Sequence, residues 1–255
     1  EYIAMETKYV TGLPEVRGGG GDPSPVTAYG TYLGMKSAAK KAYGSDSLTG
    51  KKIVVQGIGQ VGKYLVEYLV KEKARVFITD IFEDRLKQVS KDTGATVVDP
   101  NVIYDLEMDI YAPCALGATV NDQTIDRLKC QVIAGAANNQ LQDEAVHGKM
   151  LLEKGITYAP DFLINAGGLI NVYAEFVGGY NRDLTYKHAE KIYDICTSIL
   201  DKSEKENNDS LKGIEFFDGT YTEALERAKK ENKYLVTHFI IGCNDCWYDH
   251  WLPIT

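Results

Sequence analysis

The sequence predicts an α/β fold: a doubly wound, mostly parallel sheet with helices on both faces. Between residue 50 and about 180, short apolar runs alternate with segments of helical periodicity, a pattern typical of such sheets. One of these runs, Ile53-Val-Val55, leads into Gly57-Ile-Gly59-Gln-Val-Gly62, where a helix begins. The next apolar run ends at Asp80. A strand, a glycine-rich turn, a helix and a second strand ending in a carboxylate indicate a dinucleotide-binding domain of the Rossmann type.

The predicted elements follow this alternation along the chain. We expect strands near 52–56, 75–80, 95–98, 109–113, 132–136 and 156–159, and helices near 61–72, 83–92, 122–128 and 142–153. An earlier helix is expected to start with Ser24 as N-cap and Pro25 as first helical residue, and to stop at Gly44. A long amphipathic helix is predicted over about 183–206, because its isoleucines recur on one face.

Each glycine of the turn has its own predicted role. Gly57 permits the tight turn, Gly59 lets the backbone approach a pyrophosphate, and Gly62 allows the helix to pack closely on the strand. The helix N-terminus offers free N–H groups to the phosphates. Asp80 lies about 20 residues further on, where a carboxylate binds ribose hydroxyls and repels a 2′-phosphate, which favours NAD over NADP. The alternative is a glycine-rich turn in another α/β protein, with Asp80 a solvated strand end.

Composition disfavours several classes of partner. The net charge is −8 and no Lys/Arg stripe is present, which argues against nucleic acid. No apolar run reaches the roughly 18 residues of a membrane span and no signal peptide pattern is visible, so we expect a cytoplasmic protein without membrane contact. Cys114, Cys130 and Cys196 stand singly in or beside apolar runs, which fits reduced, buried thiols. No metal site is expected.

Six motifs follow one another over residues 22–182. They are Asp22-Pro-Ser-Pro-Val-Thr27-Ala-Tyr-Gly30, Val55-Gln-Gly57-Ile-Gly59-Gln-Val-Gly62, Asp109-Ile-Tyr-Ala-Pro-Cys114-Ala-Leu-Gly117, Ile133-Ala-Gly-Ala-Ala-Asn138-Asn-Gln140-Leu141, Tyr158-Ala-Pro-Asp-Phe-Leu-Ile-Asn165-Ala-Gly-Gly-Leu-Ile-Asn171 and Tyr180-Asn-Arg182. With these motifs, residues 1–208 resemble the cofactor-binding part of the leucine dehydrogenases, within the glutamate/leucine/phenylalanine/valine dehydrogenase family.

The resemblance implies NAD-dependent, reversible oxidative deamination of a branched aliphatic L-amino acid to its 2-oxo acid. The pyrophosphate would be wrapped by seven consecutive residues: Gly57, Ile58, Gly59, Gln60, Val61, Gly62 and Lys63. Asp80 would hold the adenosine ribose. The nicotinamide side would be lined by Thr27, Cys114, Ala115, Asn138 and Asn165, of which Asn165 also lies near the substrate.

Two residues, Leu169 and Val172, match positions that wall the substrate side-chain pocket, and both are apolar, as an aliphatic substrate requires. Their periodicity alone favours a plain helix core instead. For Thr27 the alternative is a hydroxyl in the first turn of a helix. For Asn138 and Asn165 it is a loop side chain that bonds its own backbone.

The proton chemistry of the family needs a lysine of lowered pKa and a carboxylate, both from an N-terminal domain. The glycine-rich lysine motif of that domain has no match here, since Asp22 follows Gly18–Gly21. The opening at Glu1 reads as the middle of a longer sequence. We therefore expect the cofactor half of an enzyme, without catalytic residues and with little turnover alone. The full enzyme is expected to be a homo-oligomer. The alternative function for this chain is that of a non-catalytic NAD-binding module.

Residues 209–255 depart from the family pattern. An apolar run at 213–217, a charged helix over 221–232 and an apolar strand over 234–241 are expected, followed by Cys243-Asn-Asp-Cys246 at the start of a helix; this order resembles the start of a thioredoxin-like domain. A C-x-x-C at a helix N-terminus lowers the pKa of the first thiol and suits disulfide exchange, so a thiol–disulfide unit is a further alternative function. Gly242 stands where such domains carry Trp, however, and the chain ends before their later strands. An artificial junction of two genes would also account for this segment, as would a role in packing alone.

Overall fold

The structure is a computed structural model that describes residues 2–7, 9–176, 179–206, 235–240 and 247–252. The helices are α1 (Tyr2–Glu6), α2 (Ser24–Tyr43), α3 (Gln60–Lys71), α4 (Glu83–Thr93), α5 (Glu144–Glu153), α6 (Asp161–Ile164), α7 (Gly167–Phe176) and α8 (Arg182–Glu206). The strands are β1 (Lys52–Gln56), β2 (Arg75–Thr79), β3 (Thr96–Val97), β4 (Ile110–Pro113), β5 (Val132–Ile133), β6 (Thr157–Tyr158), β7 (Leu235–Ile240) and β8 (Trp247–Leu252). The chain divides into two compact units, Glu1–Gly213 and Ile214–Thr255.

Six strands of the first unit form one parallel sheet in the order β3-β2-β1-β4-β5-β6. The order reverses at β1, because the chain returns from β3 to the other side of β1 to form β4. Right-handed crossovers then place α3 and α4 on one face and the connections between β4 and β6 on the other. The carboxyl ends of β1 and β4 therefore flank a crevice, the usual ligand position in open α/β sheets. The prediction of a doubly wound, parallel sheet is confirmed.

The core lies on both faces of the central strands. In β1 the side chains of Ile53, Val54 and Val55 are all fully buried, as the continuous apolar run predicted. On one face, α3 contributes Leu65 and Leu69, one helical turn apart. The other face is a buried cluster formed by Val54, Ile103, Met108, Tyr111, Val120, Ile125, Leu128, Cys130, Ile133, Leu141, Leu151, Ile156 and Tyr158.

The long helices α2 and α8 pack against each other, and α2 also packs on α3 and α7. The predicted stop of α2 is confirmed, since Gly44 has φ +74°. Its start is wrong by one residue: Ser24 is already helical and Pro23 takes the cap position. The side-chain oxygen that meets this end belongs to Asp22, whose Oδ1 accepts the N–H of Ser24 at 2.9 Å. None of the helices in the described ranges combines the length and apolarity needed to cross a membrane.

The predicted helix over 122–128 is wrong, because this connection between β4 and β5 is a series of turns. The Thr124 hydroxyl accepts the N–H of Asn121 at 3.0 Å and donates to the Thr119 carbonyl at 2.6 Å. The Asn121 carboxamide oxygen accepts the N–H of Gln123 at 2.9 Å. These side chains compete with helical hydrogen bonding. Two helices that the sequence reasoning did not place, α6 and α7, follow β6.

In the second unit, β7 and β8 form an antiparallel pair with Leu235 opposite Leu252. The strand expected at 234–241 is confirmed as β7. The helix expected to begin at the dicysteine is wrong, because Trp247–Leu252 is a strand. Its aromatic residues favour a pleated conformation. Cys243, Cys246 and the predicted helix over 221–232 lie outside the described residues, so a thioredoxin-like domain stays a prediction.

Candidate functional site

The glycine-rich turn joins the ends of β1, β2 and β4. Gly57 has φ +100°, a left-handed conformation that favours glycine, and its N–H donates to the Thr79 carbonyl at the end of β2 at 2.8 Å. A Cβ at Gly57 would lie 2.6 Å from the backbone nitrogen of Ala115, just after β4. The turn thus closes directly against the 114–115 segment, and both line the crevice at the reversal of strand order.

The other two glycines of the turn have opposite surroundings. A Cβ at Gly62 would lie 2.1 Å from the Gly57 carbonyl oxygen, so the first turn of α3 packs on the turn itself. At Gly59, apart from its neighbours in the chain, no heavy atom of the described residues lies within 4 Å of the Cβ position. Gly59 is also the N-cap of α3, and among the described residues no side chain makes a capping hydrogen bond at that end. An uncapped helix N-terminus beside open space is suited to an anion such as a pyrophosphate.

Asp80 lies against the same turn. Its Oδ2 accepts the N–H of Ile58 at 2.5 Å, and its Oδ1 accepts the N–H of Phe82 at 3.0 Å. The residue is half-buried, so it is not the solvated strand end of the alternative interpretation. A carboxylate held by two N–H groups keeps further acceptor capacity for a ribose hydroxyl pair.

The remaining residues of the predicted pyrophosphate loop differ in exposure. Ile58 is 2% exposed and packs into the core, whereas Gln60 is exposed and Val61 is partly exposed. Lys63 lies in the first turn of α3, where its N–H donates to the Gly59 carbonyl at 3.0 Å. Among the described residues its ammonium group takes part in no ion pair within 4.0 Å, so it is available to an anion in the crevice.

Cys114 and Ala115 follow β4 at the opposite wall of the crevice. The N–H of Cys114 donates to the Gln56 carbonyl at 2.7 Å, and its sulfur accepts the N–H of Ala136 at 3.5 Å. Desolvation raises the pKa of the Cys114 thiol to about 12, so at neutral pH it is a neutral lining group and not a nucleophile. Cys130 and Cys196 are buried free thiols, as predicted, whereas Cys114, predicted to be buried as well, is a free thiol of intermediate exposure at the edge of the crevice.

Asn138 and Asn165 come from different elements and meet each other. The Asn165 carboxamide nitrogen donates to the Asn138 carboxamide oxygen and to the Ala136 carbonyl, the latter at 3.2 Å. Asn138 follows β5, and Asn165 ends α6. The alternative was that Asn165 bonds its own local backbone. These bonds instead reach partners 27 and 29 residues away. The pair presents amide groups at the carboxyl end of the sheet.

Thr27, Leu169 and Val172 lie where α2 meets α7. The Thr27 hydroxyl donates to the Pro23 carbonyl at 2.9 Å, which is the first-turn bond of the alternative interpretation. A Cβ at Gly168 would lie 2.5 Å from this hydroxyl oxygen, so Thr27 faces the start of α7. Leu169 and Val172 are three residues apart on α7 and both are partly exposed, which makes them available to line a pocket. The pocket-wall and the helix-core interpretations both stay predictions for them.

The sequence reasoning did not single out Gln140 and Asp161 as site residues. Gln140 is fully buried and Asp161 is 5% exposed, and the N–H of Gln140 donates to Asp161 Oδ2 at 3.1 Å. Both residues flank the asparagine pair. The available signal was a polar residue inside an apolar motif, which is ambiguous without its partners. Within the described ranges, no three His, Cys, Asp or Glu side chains form a group that could hold a metal ion.

The comparisons with known proteins agree with this geometry. A leucine dehydrogenase from Thermoactinomyces intermedius is 52% identical over 206 residues, which are 81% of this chain and 56% of that protein. A leucine dehydrogenase from Bacillus subtilis (strain 168) is 49% identical over 230 residues, 90% of this chain and 62% of that protein. The crystal structure of L-tryptophan dehydrogenase from Nostoc punctiforme is 43% identical, has a TM-score of 0.73 and covers 75% of this chain and 58% of that one.

This chain therefore spans little more than half the length of the relatives it matches. A sequence model described as Glutamate/Leucine/Phenylalanine/Valine dehydrogenase matches residues 18–82 and 78–235. That match includes the glycine-rich turn, Asp80 and the asparagine pair. The chain belongs to the glutamate/leucine/phenylalanine/valine dehydrogenase family of amino-acid dehydrogenases.

Proposed function

We propose that this chain binds NAD and forms the cofactor-binding half of a dehydrogenase that oxidatively deaminates a branched-chain L-amino acid, with leucine as the first candidate. The observation that carries the proposal is the meeting of three features at one crevice. These are the open approach at Gly59, the uncapped N-terminus of α3 and the Asp80 carboxylate beside Ile58. The names of the similar dehydrogenases support the reaction class.

The first part of the crevice fits the adenosine and pyrophosphate of NAD. The free N–H groups at the start of α3 would bind the phosphates, with Lys63 adding positive charge. The half-buried Asp80 carboxylate would accept hydrogen bonds from the ribose hydroxyls. The same negative charge would repel a 2′-phosphate, which supports NAD over NADP.

The second part fits the nicotinamide and the substrate. The amides of Asn138 and Asn165 can bond a carboxamide or a carboxylate, and the neutral Cys114 thiol and Ala115 can line the ring. Bound here, NAD would supply a hydride acceptor for the substrate Cα; in the overall reaction water would supply the oxygen of the 2-oxo acid, the amino group would leave as ammonium and one proton would pass to solvent. Leu169 and Val172 offer apolar surface to an aliphatic side chain.

Among the described residues, those that we assign to the nicotinamide and the substrate supply no proton donor or acceptor active near neutral pH, and the neighbouring Asp161 carboxylate is buried. Asn, Thr, Leu and Val side chains do not ionise, and the raised pKa of Cys114 keeps its thiol neutral. Deamination requires proton transfers that water alone performs slowly. We therefore expect NAD binding with little or no turnover by this chain alone, and assembly into a homo-oligomer stays a prediction for the full enzyme.

The test is calorimetric titration of the purified chain with NAD and, separately, with NADP. Leucine is then added to the NAD-bound sample and absorbance is followed at the NADH band. Tight NAD binding, weaker NADP binding and a flat absorbance trace are the expected results. Absence of NAD binding would contradict the proposal, whereas NADH formation would show that this chain carries its own proton-transfer groups.

Substrate preference is tested in a second titration. With NAD present, leucine and valine should bind more tightly than tryptophan if Leu169 and Val172 wall an aliphatic pocket. Leu169→Asn places a polar group on that wall and should weaken leucine binding without changing NAD affinity. Equal binding of tryptophan and leucine would refute the aliphatic assignment.

A further inference from the structure

The loop that carries Asn138 is held from within by the side chain of Gln140. Its carboxamide nitrogen donates to the Gly135 carbonyl at 2.7 Å and to the Ala137 carbonyl at 2.9 Å. The residue is fully buried, and its carboxamide oxygen has no hydrogen-bond partner among the described residues. Burying an amide with half of its capacity unused costs free energy. The two N–H groups of the Gln140 carboxamide are both used, one on each side of Ala136.

Asp161 connects this loop to the helix that carries Asn165. Its Oδ2 accepts the N–H of Gln140 at 3.1 Å, and its backbone carbonyl accepts the N–H of Asn165 at 3.0 Å. The carboxylate is 5% exposed, and its Oδ1 accepts the N–H of Phe162 at 2.7 Å. One buried residue therefore fixes the distance between the backbones of the two asparagine positions, and Gln140 fixes the loop between them.

The loop also carries backbone strain that these contacts must hold. Asn139 in this loop has φ +52°, and Ala118 in the neighbouring segment after β4 has φ +62°; both conformations are left-handed, which is unusual for any residue but glycine and less so for asparagine than for alanine. The two residues face each other, since the N–H of Ala118 donates to the Asn139 carbonyl at 2.6 Å. A loop of this kind relaxes unless its surroundings hold it. Gln140 supplies two of the bonds that do so.

We propose that Gln140 is a positioning residue for the nicotinamide side: it holds Asn138, and through it Asn165, in the orientation that binds the nicotinamide ring. This inference rests on the proposed NAD binding. Gln140 is buried behind the loop and acts only through Asn138. Its effect should therefore be confined to the nicotinamide half of the ligand, whereas Gly59 and Asp80 serve the adenosine and pyrophosphate half.

The test compares NAD with ADP-ribose, which is NAD without the nicotinamide, in calorimetric titrations of the 255-residue chain. Gln140→Met keeps the side-chain length and removes both donors. Gln142→Met is the matched control, since Gln142 lies two residues further along and is exposed. We expect Gln140→Met to lower NAD affinity about tenfold, as for one lost ligand hydrogen bond, and ADP-ribose affinity less than twofold. Gln142→Met should change neither.

Different outcomes separate this inference from the proposed function. If the unmodified chain binds neither ligand, the proposed function fails. If it binds NAD and ADP-ribose equally, or if Gln140→Met weakens both to the same extent, NAD binding stands and the positioning role is refuted. Should Gln140→Met fail to fold, Asn138→Ala replaces it, because Asn138 is exposed. That variant must show the same selective loss of NAD affinity, and an unchanged NAD affinity would overturn the inference.

Discussion

The two halves of the parallel sheet present different kinds of chemistry to one crevice. In the first half, β1 to β3, the connections are the regular helices α3 and α4, and the candidate site is built from backbone N–H groups and the Asp80 carboxylate. In the second half, β4 to β6, the connection after β4 is a series of turns. There the candidate site is built from the side-chain amides of Asn138 and Asn165, beside the buried residues Gln140 and Asp161.

This difference separates recognition by backbone from recognition by side chains. A pyrophosphate needs only N–H groups at a helix end, and regular structure provides them without any particular side chain. A planar carboxamide or a carboxylate needs donors and acceptors at defined positions, which a helix end does not supply. The second half thus carries irregular backbone, including the left-handed residues Ala118 and Asn139. We therefore expect substitutions in the two halves to impair stability and ligand binding in different ways.

The largest effect is expected from Gly62→Val. The new Cβ would lie 2.1 Å from the Gly57 carbonyl oxygen, a backbone atom that cannot turn away. We expect the packing of α3 on β1 to be lost, with a fall of about 4 kcal/mol or more in the free energy of unfolding. Urea denaturation followed by circular dichroism measures this. A stable variant would show that the turn can move, and the first half would then be less rigid than its contacts indicate.

The matched substitution Gly59→Val should leave the fold intact and abolish NAD binding. Apart from its chain neighbours, no heavy atom of the part of the chain that the structure describes lies within 4 Å of its Cβ position, and φ −73° suits any residue, so the fold should tolerate the side chain. The valine would instead fill the space that a pyrophosphate needs. Calorimetric titration measures the affinity, and the unfolding midpoint serves as the control. An unfolded variant, or one that still binds NAD, would remove Gly59 from the pyrophosphate site.

A smaller effect is expected from Asp80→Ala, which should weaken NAD binding by roughly 1–3 kcal/mol, the loss typical of hydrogen bonds to a charged group. Asp80→Asn keeps an acceptor for the Ile58 N–H but removes the charge. It should reduce the preference for NAD over NADP. Asp84→Ala, an exposed carboxylate in the first turn of α4, is the control. Unchanged NAD affinity in the Asp80 variants would place the ribose elsewhere.

The sequence alone predicted the arrangement of the first half of the sheet, because the residues that indicate it lie close together along the chain. Ile53, Gly57, Gly62 and Asp80 lie within one strand–turn–helix–strand unit, and their spacing alone predicts the arrangement that the structure shows. The start of α2 was wrong by one residue only, because several neighbouring polar residues could cap the same end.

In the second half the decisive contacts are non-local, and the sequence could not show them. Asn138 meets Asn165 across 27 residues, and Gln140 meets Asp161 across 21. A polar residue in an apolar motif does not reveal its partner. The helix predicted over 122–128 failed for a different reason. Its apolar spacing is real, since Ile125 and Leu128 are buried, but the local side-chain bonds of Thr124 select turns that bury the same residues.

The smallest effect is expected from Glu72→Gln, which tests whether the framework of the first half can be weakened without changing its candidate binding site. Glu72 is the C-cap residue at the far end of α3, about 20 Å from Gly59 along the axis of this 12-residue helix. Its Oε1 accepts hydrogen bonds from Lys36 Nζ at 2.8 Å and from the Leu48 N–H at 3.0 Å, and its Oε2 accepts one from the Tyr32 hydroxyl. Burial alone would raise the pKa of Glu72, but these bonds hold the pKa below its ordinary value.

A lowered folded-state pKa means that the charge of Glu72 stabilises the fold at pH values above the ordinary glutamate pKa. That stabilisation is lost as the pH falls through the lower, folded-state value. Glu72→Gln should therefore cost about 1 kcal/mol near neutral pH, and the difference from the unmodified chain should vanish in acid. NAD affinity should not change. Glu67→Gln, an exposed glutamate on the same helix, is the control for unfolding measured across pH. A loss of NAD affinity in Glu72→Gln would mean that the two ends of α3 are coupled and that the binding turn depends on the whole helix.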